Sequence, residues 1–97
     1  MKVVLLPQAR VDMLQAQDFY REKLPGLENR FLADLQESLT LLSRSPDIGR
    51  SLGGKSRRLN LSAFPYFLAY SHRRGCLVVT AVLHQARDPQ DVKRRLE

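Results

Sequence analysis

Two amphipathic stripes separated by nothing more than Pro25-Gly26 constrain this chain more than any other feature of it. Ahead of the break, Ala9, Met13, Ala16, Tyr20 and Leu24 recur at helical spacing, with Leu14 and Phe19 widening the stripe. Behind it, Leu27, Phe31, Leu35, Leu39 and Leu42 do the same beside Leu32 and Leu41, and Glu28, Asp34 and Glu37 are assigned to the opposite, solvated side. Pro7 suits the first turn of the first helix, where its missing N–H costs nothing, and Pro46 ends the second. So short a link forces the two helices into an antiparallel hairpin. Their apolar stripes then need a common surface to cover.

The rest of the chain supplies that surface as strands. Lys2 to Leu6 is a short β-branched and aliphatic run stopped by Pro7. Residues 47–56, with Gly49, Gly53 and Gly54, read as a loop. After it, Arg57, Leu59 and Leu61 share one strand face, and Arg58 and Asn60 the other. Pro65 cannot donate to a ladder, so the next strand is placed at Tyr66 to Ser71, with Tyr66, Leu68 and Tyr70 facing one way and Phe67 and Ala69 the other. His72-Arg73-Arg74-Gly75 reads as a turn, and Leu77 to Leu83, apolar on both faces, as a central strand. Strict alternation groups His84 with Val78, Thr80 and Val82. Asp88 caps a short C-terminal helix that has Pro89 at its first position, Asp91 as the capping-box acid, and Lys93, Arg94 and Arg95 near its end. The expected architecture is α+β, with an N-terminal strand and a two-helix hairpin packed on a small, mainly antiparallel sheet.

Composition bounds the function. A chain of 97 residues with 43% hydrophobic and 27% charged residues fits one domain spanning residues 1–97. Cys76 is the only cysteine, which excludes an internal disulfide and a cysteine-based zinc cluster; with only His72 and His84 beside it, no metal or other cofactor is expected. Val3-Val4-Leu5-Leu6 is too short for a signal-peptide core or a membrane span, so a cytoplasmic location is expected. The net charge of +6 is unevenly placed: residues 1–43 sum to −1 and residues 44–97 to +7. The second half is therefore the side that suits an anionic partner.

Taken in order, Pro7 with Ala9, Arg30-Phe31, Ser45-Pro46 followed by Gly49-Arg50, Arg58, Phe64-Pro65-Tyr66 with Tyr70, and Val82-Leu83-His84 with Arg87-Asp88-Pro89 resemble the RelE/ParE superfamily of bacterial type II toxins. The resemblance covers nearly the whole chain. It implies the toxin of a two-gene toxin–antitoxin module, connected with growth arrest and plasmid stabilization and neutralised by a ParD-like antitoxin that docks a C-terminal segment onto it. Two branches differ in mechanism. RelE-like members cut mRNA on the ribosome, which needs a base, a donor for the leaving oxygen and cations on the phosphorane. ParE-like members poison DNA gyrase and need no active site of their own.

The cations for either branch are Lys55, Arg57, Arg58, Arg73, Arg74 and Arg87. The resemblance implies that the nuclease branch uses a tyrosine or histidine near the C-terminus; a late tyrosine is missing, since Tyr70 is the last, leaving Arg58, His84 and Arg87 as the catalytic candidates. Tyr66 and Tyr70 beside Arg58 admit base stacking, but their shared face with Leu68 favours burial. Arg57, Arg58, Arg73, Arg74 and Arg87 are the expected target- or antitoxin-binding residues. The expectation is a ParE-like gyrase poison, with a RelE-like ribonuclease second and a nontoxic basic interaction domain third.

Overall fold

In the computed structural model, which describes residues 1–96, the two stripes fold as the hairpin. Helix α1 spans Pro7–Lys23 and α2 spans Leu27–Arg44. Gly26 turns the chain at φ 100°, a left-handed conformation that disfavours a side chain. Across this turn Glu28 accepts from Arg21 Nε and from the Gly26 N–H, both at 2.6 Å. Burial pushes the Glu28 carboxyl up, but these hydrogen bonds and the Arg21 charge outweigh it and hold the group below the ordinary glutamate range.

Two of the acids assigned to the solvated side of α2 are therefore buried instead: Glu28 is 9% exposed and Asp34 5%. Asp34 accepts from three successive backbone N–H groups, those of Ser62, Ala63 and Phe64, at 2.8–3.1 Å. Conversely Leu14, Phe19, Leu24 and Leu41, read as part of the apolar stripes, are exposed. Hydropathy spacing locates the centre of a helix face and is blind to a buried carboxylate that satisfies backbone donors elsewhere.

The sheet has five strands: β1 (Lys2–Leu5), β2 (Arg50–Gly53), β3 (Ser56–Asn60), β4 (Tyr66–Arg73) and β5 (Cys76–His84), in the spatial order β1-β5-β4-β3-β2. The β1–β5 pairing is parallel and the other three are antiparallel. Helix α3 spans Pro89–Leu96. Three expectations need correction. The segment 47–56 is not all loop: it contains β2, a short edge strand whose glycines hid it, and the first residue of β3. The β4–β5 turn is only Arg74-Gly75, both at positive φ as a two-residue hairpin requires. Strand β5 is interior, but the middle strand is β4.

Each face of the sheet carries its own core. On one, Ala9, Ala16, Tyr20, Phe31, Leu35 and Leu42 of the hairpin pack on Leu61, Leu68, Tyr70, Leu77, Val79 and Val82. On the other, Val92 of α3 covers Phe67, Ala69, Ala81 and Leu83. Side chains such as Phe31, Leu42 and Leu68 are fully buried, each contributing about 1.5–3 kcal/mol by leaving water. The faces of β4 alternate as expected, but those of β5 do not. Ala69 pairs with Ala81 and Tyr70 with Val79, so Thr80 is an extra residue, and its Oγ1 donates to the Ala69 carbonyl at 3.1 Å. Beyond this bulge the alternation inverts, so Val82 joins Leu77 and Val79 on the helix side.

Strand β1 covers β5 only as far as Val79, whose carbonyl accepts from the Leu6 N–H at 3.0 Å. Past that point Asp12 of α1 takes the place of a neighbouring strand. Its Oδ2 accepts from the Val82 N–H at 3.0 Å, and Arg95 of α3 donates to both carboxylate oxygens, at 3.0 and 2.6 Å. Asp12 is 6% exposed, so this cluster joins hairpin, sheet edge and C-terminal helix in a nearly dry setting.

Replacing Asp12 with alanine leaves both Arg95 and the Val82 N–H without their partner. The expected loss is about 3 kcal/mol in urea unfolding, at the low end for a buried pair because Arg95 keeps part of its surface in water. Asp12→Asn, which retains an acceptor, should lose less; equal losses would show that the charge is not what matters. For Glu28, whose folded pKa lies below its unfolded value, stability is present above the ordinary carboxylate range, about pH 4.3, and is lost as pH falls through the lower folded pKa. Glu28→Gln should flatten that acid limb in a pH series of unfolding midpoints.

Candidate partner-binding groove

Strand pairing sets two basic residues of the second half side by side on one surface. Arg50 on β2 stands directly opposite Arg58 on β3. Both project to the sheet face away from the hairpin, where they line a groove of about 540 Å³ whose far wall is α3 and the turn before it. Arg87 and Lys93 complete the rim, and Leu52, Pro89, Val92 and Leu96 give the groove an apolar lining.

Each wall has a local cause. The Arg58 guanidinium lies 3.8 Å from the centre of the Phe67 ring, and its Nε and Nη2 donate to Asn60 Oδ1 at 3.3 and 3.1 Å. The arginine is thus held flat over the sheet. Burial, and then the Arg50 charge opposite, pull its pKa down from the ordinary arginine value. Among the described residues, no carboxylate forms an ion pair with Arg50, Arg58, Arg87 or Lys93.

The approach to β2 is fixed from beneath. Tyr70, fully buried, donates its hydroxyl to the Pro46 carbonyl at 2.8 Å and accepts from the Gly49 N–H at 3.0 Å. Burial raises its pKa. A Cβ on Gly49 would meet the Tyr70 ring and would lie 2.8 Å from the Arg58 carbonyl oxygen, so only glycine fits. Arg57, on the helix-side face, donates to the Asp47 and Gly49 carbonyls at 3.2 and 2.8 Å and closes the same loop. At the opposite wall, Asp88 caps α3 by accepting from the Gln90 N–H at 2.8 Å, and Asp91 pairs with Arg94.

The expected site residues therefore separate. Arg58 and Arg87 share the groove. Arg57 is engaged in holding the loop that precedes β2. Arg73, the last residue of β4, and Arg74, in the β4–β5 turn, are exposed and do not line the groove. Lys55 is exposed in the β2–β3 turn. His84 pairs with Tyr66 on the helix side, its ring 5.2 Å from the tyrosine ring, and its Nδ1 accepts from the Ala86 N–H at 3.0 Å. It lines a separate cavity of about 440 Å³ with Asp12, Phe19, Tyr66 and Arg87. Arg58 and His84 thus lie on opposite faces of the sheet, and Arg58, His84 and Arg87 do not converge on a common reacting atom. Tyr66 and Tyr70 both pack into the helix-side core and present no stacking platform to the groove. Among the described residues, no three His, Cys, Asp or Glu side chains cluster as a metal site would need.

Arg50 and Lys93 escaped the reading of the sequence. Arg50 stood in a presumed loop, and Lys93 was accounted for by the helix dipole. The alternation of β3 carried the usable signal, since it put Arg58 beside Asn60 on the face that Arg50 also joins. The chemistry on offer is recognition: three guanidinium groups and one ammonium over an apolar floor.

The fold is similar to that of a chain from the "Chromosomal ParDE TA system from P. aeruginosa", with a TM-score of 0.76 at 17% identity over 87% of this chain and 95% of that one. No curated protein sequence matches the chain. Residues 3–89 match the family model described as "ParE toxin of type II toxin-antitoxin system, parDE". With that match spanning most of the fold just described, the chain belongs to the ParE toxin family of type II toxin–antitoxin systems.

Proposed function

We propose that this toxin arrests growth by binding DNA gyrase and holding it on cleaved DNA, without performing chemistry of its own, and that a ParD-like antitoxin relieves it. The observation that carries this reading is the separation of His84 from Arg58 across the sheet. Cleavage of RNA needs a proton acceptor, a proton donor and cations around one phosphate. Here His84 stands against Tyr66, facing α1, while Arg50, Arg58 and Lys93 line the groove on the other face and only Arg87 lines both cavities. A binding protein needs no such convergence. Arg58 and Arg87 are the residues of this surface assigned to target contact. The cytoplasm, where gyrase works, is the expected location, and no described helix is long and apolar enough to cross a membrane.

The purified toxin should inhibit supercoiling by gyrase and accumulate cleaved DNA. Arg87→Ala should weaken inhibition by about tenfold, the loss of one charged contact, while His84→Ala should inhibit as the parent does. Intact supercoiling together with mRNA cuts in the ribosomal A site, abolished by His84→Ala, would sink the proposal in favour of a ribonuclease.

A further inference from the structure

Residues 2–5 and 50–84, which hold all five strands and the turns between β2 and β5, contain not one Asp or Glu. The acids are confined to residues 12–47 and 88–97. One end of the sheet collects the consequence. There the β2–β3 turn, the β4–β5 turn and the start of β1 lie side by side: Gly53 pairs with Ser56, Arg57 next to it with Tyr70, and Cys76 with Arg73 on one side and Lys2 on the other. Lys2, Lys55, Arg73 and Arg74 are all exposed there, and among the described residues none of them is in an ion pair. Lys2 and Arg73 stand two strand spacings apart, about 10 Å, and Lys55 extends the row to roughly 15 Å. None of the four lines the groove.

We propose that this end of the sheet binds the phosphate backbone of duplex DNA, with Lys2, Lys55, Arg73 and Arg74 each set against a phosphate. Duplex DNA carries one negative charge per about 1.7 Å of its axis, so a row roughly 15 Å long meets more phosphates than it has cations. An acidic protein segment would match the charge but not the rest of the surface. Residues 1–3, 53–56 and 71–77 hold no Phe, Tyr or Trp, their only Leu is the buried Leu77, and Met1 is the one large apolar side chain exposed among them. A stable protein interface is built around buried apolar or aromatic anchors, whereas phosphate contacts need none. Single strands are disfavoured on the same ground, since they stack their bases on aromatic rings. The choice of DNA over duplex RNA rests on the reading of the toxin as acting at gyrase, which puts it beside a DNA duplex.

Fluorescence anisotropy of a short labelled DNA duplex with the full-length toxin, in the absence of gyrase, tests it. Four phosphate contacts give log K against log salt a slope of about −3.6, so binding should weaken about 150-fold between about 50 and 200 mM salt. Lys2→Gln, Lys55→Gln, Arg73→Gln and Arg74→Asn should each flatten that slope by about 0.9. Asparagine is chosen for Arg74 because it tolerates the left-handed backbone there, and all four positions are exposed. Arg50→Gln with Lys93→Gln, in the groove, should leave the slope unchanged. The proposal is overturned if the duplex does not bind at the lower salt concentration, or if the groove pair flattens the slope while the four variants do not. Tighter binding of an RNA duplex or of a polyglutamate peptide through the same four residues overturns it too. Supercoiling inhibition is measured in parallel. Failure to bind the duplex with supercoiling still inhibited removes this inference alone, and duplex binding with supercoiling intact removes only the gyrase reading.

Discussion

Everything distinctive in this fold converges on the carboxylate of Asp12. The parallel strand β1 is too short to cover β5, and the uncovered edge would leave a buried N–H at Val82 without a partner. An aspartate on α1 satisfies that donor, but a buried carboxylate needs a cation, which Arg95 brings from the other end of the chain. The sequence separation of 83 residues makes the pair a clasp between termini. It explains why a helix with only Val92 buried stays on the sheet. Without α3 the groove would lose a wall, with Lys93 and the aliphatic side chains of Val92 and Leu96.

A second polar anchor works on the other side of the molecule. Tyr70 is buried in the helix-side core, yet its hydroxyl reaches the loop before β2, and Gly49 is the one residue small enough to pass over the ring. Arg57, on the same face as Tyr70, closes the same loop. Arg57, expected to contact a target or antitoxin, and Tyr70, expected in the core, thus together set the entry angle of β2, and through it the position of Arg50. The placement of arginines on one face of the sheet depends on side chains that belong to the other.

How legible this was depended on the kind of interaction involved. Helix periodicity and the Pro25-Gly26 break located the hairpin, and alternation located both faces of β4, because burial of apolar surface leaves a repeating trace. Buried carboxylates leave none. Asp12, between Val11 and Met13, Asp34, between Ala33 and Leu35, and Glu28 carry nothing in the sequence that marks them as buried, and only the chain's path shows that Val82, Gly26 and the Ser62–Phe64 backbone need them. Strand β2 was hidden for a related reason. It is four residues long, ends on glycine and packs one leucine, too little to register as a pattern.

The bulge at Thr80 shows how one residue can decide between chemistries. Leu77 and Val79 face the hairpin, so unbroken alternation would turn His84 to the opposite face, alongside the arginine groove. A histidine there, beside Arg58 and Arg87, would hold a proton acceptor among cations, much of what phosphodiester cleavage requires. Instead the extra residue inverts the register, and the threonine hydroxyl satisfies the Ala69 carbonyl that the irregular pairing leaves free. His84 is carried to the Tyr66 side. Arg50 and Arg58 are left on the face opposite His84, and of the groove's cations only Arg87 also lines the His84 cavity.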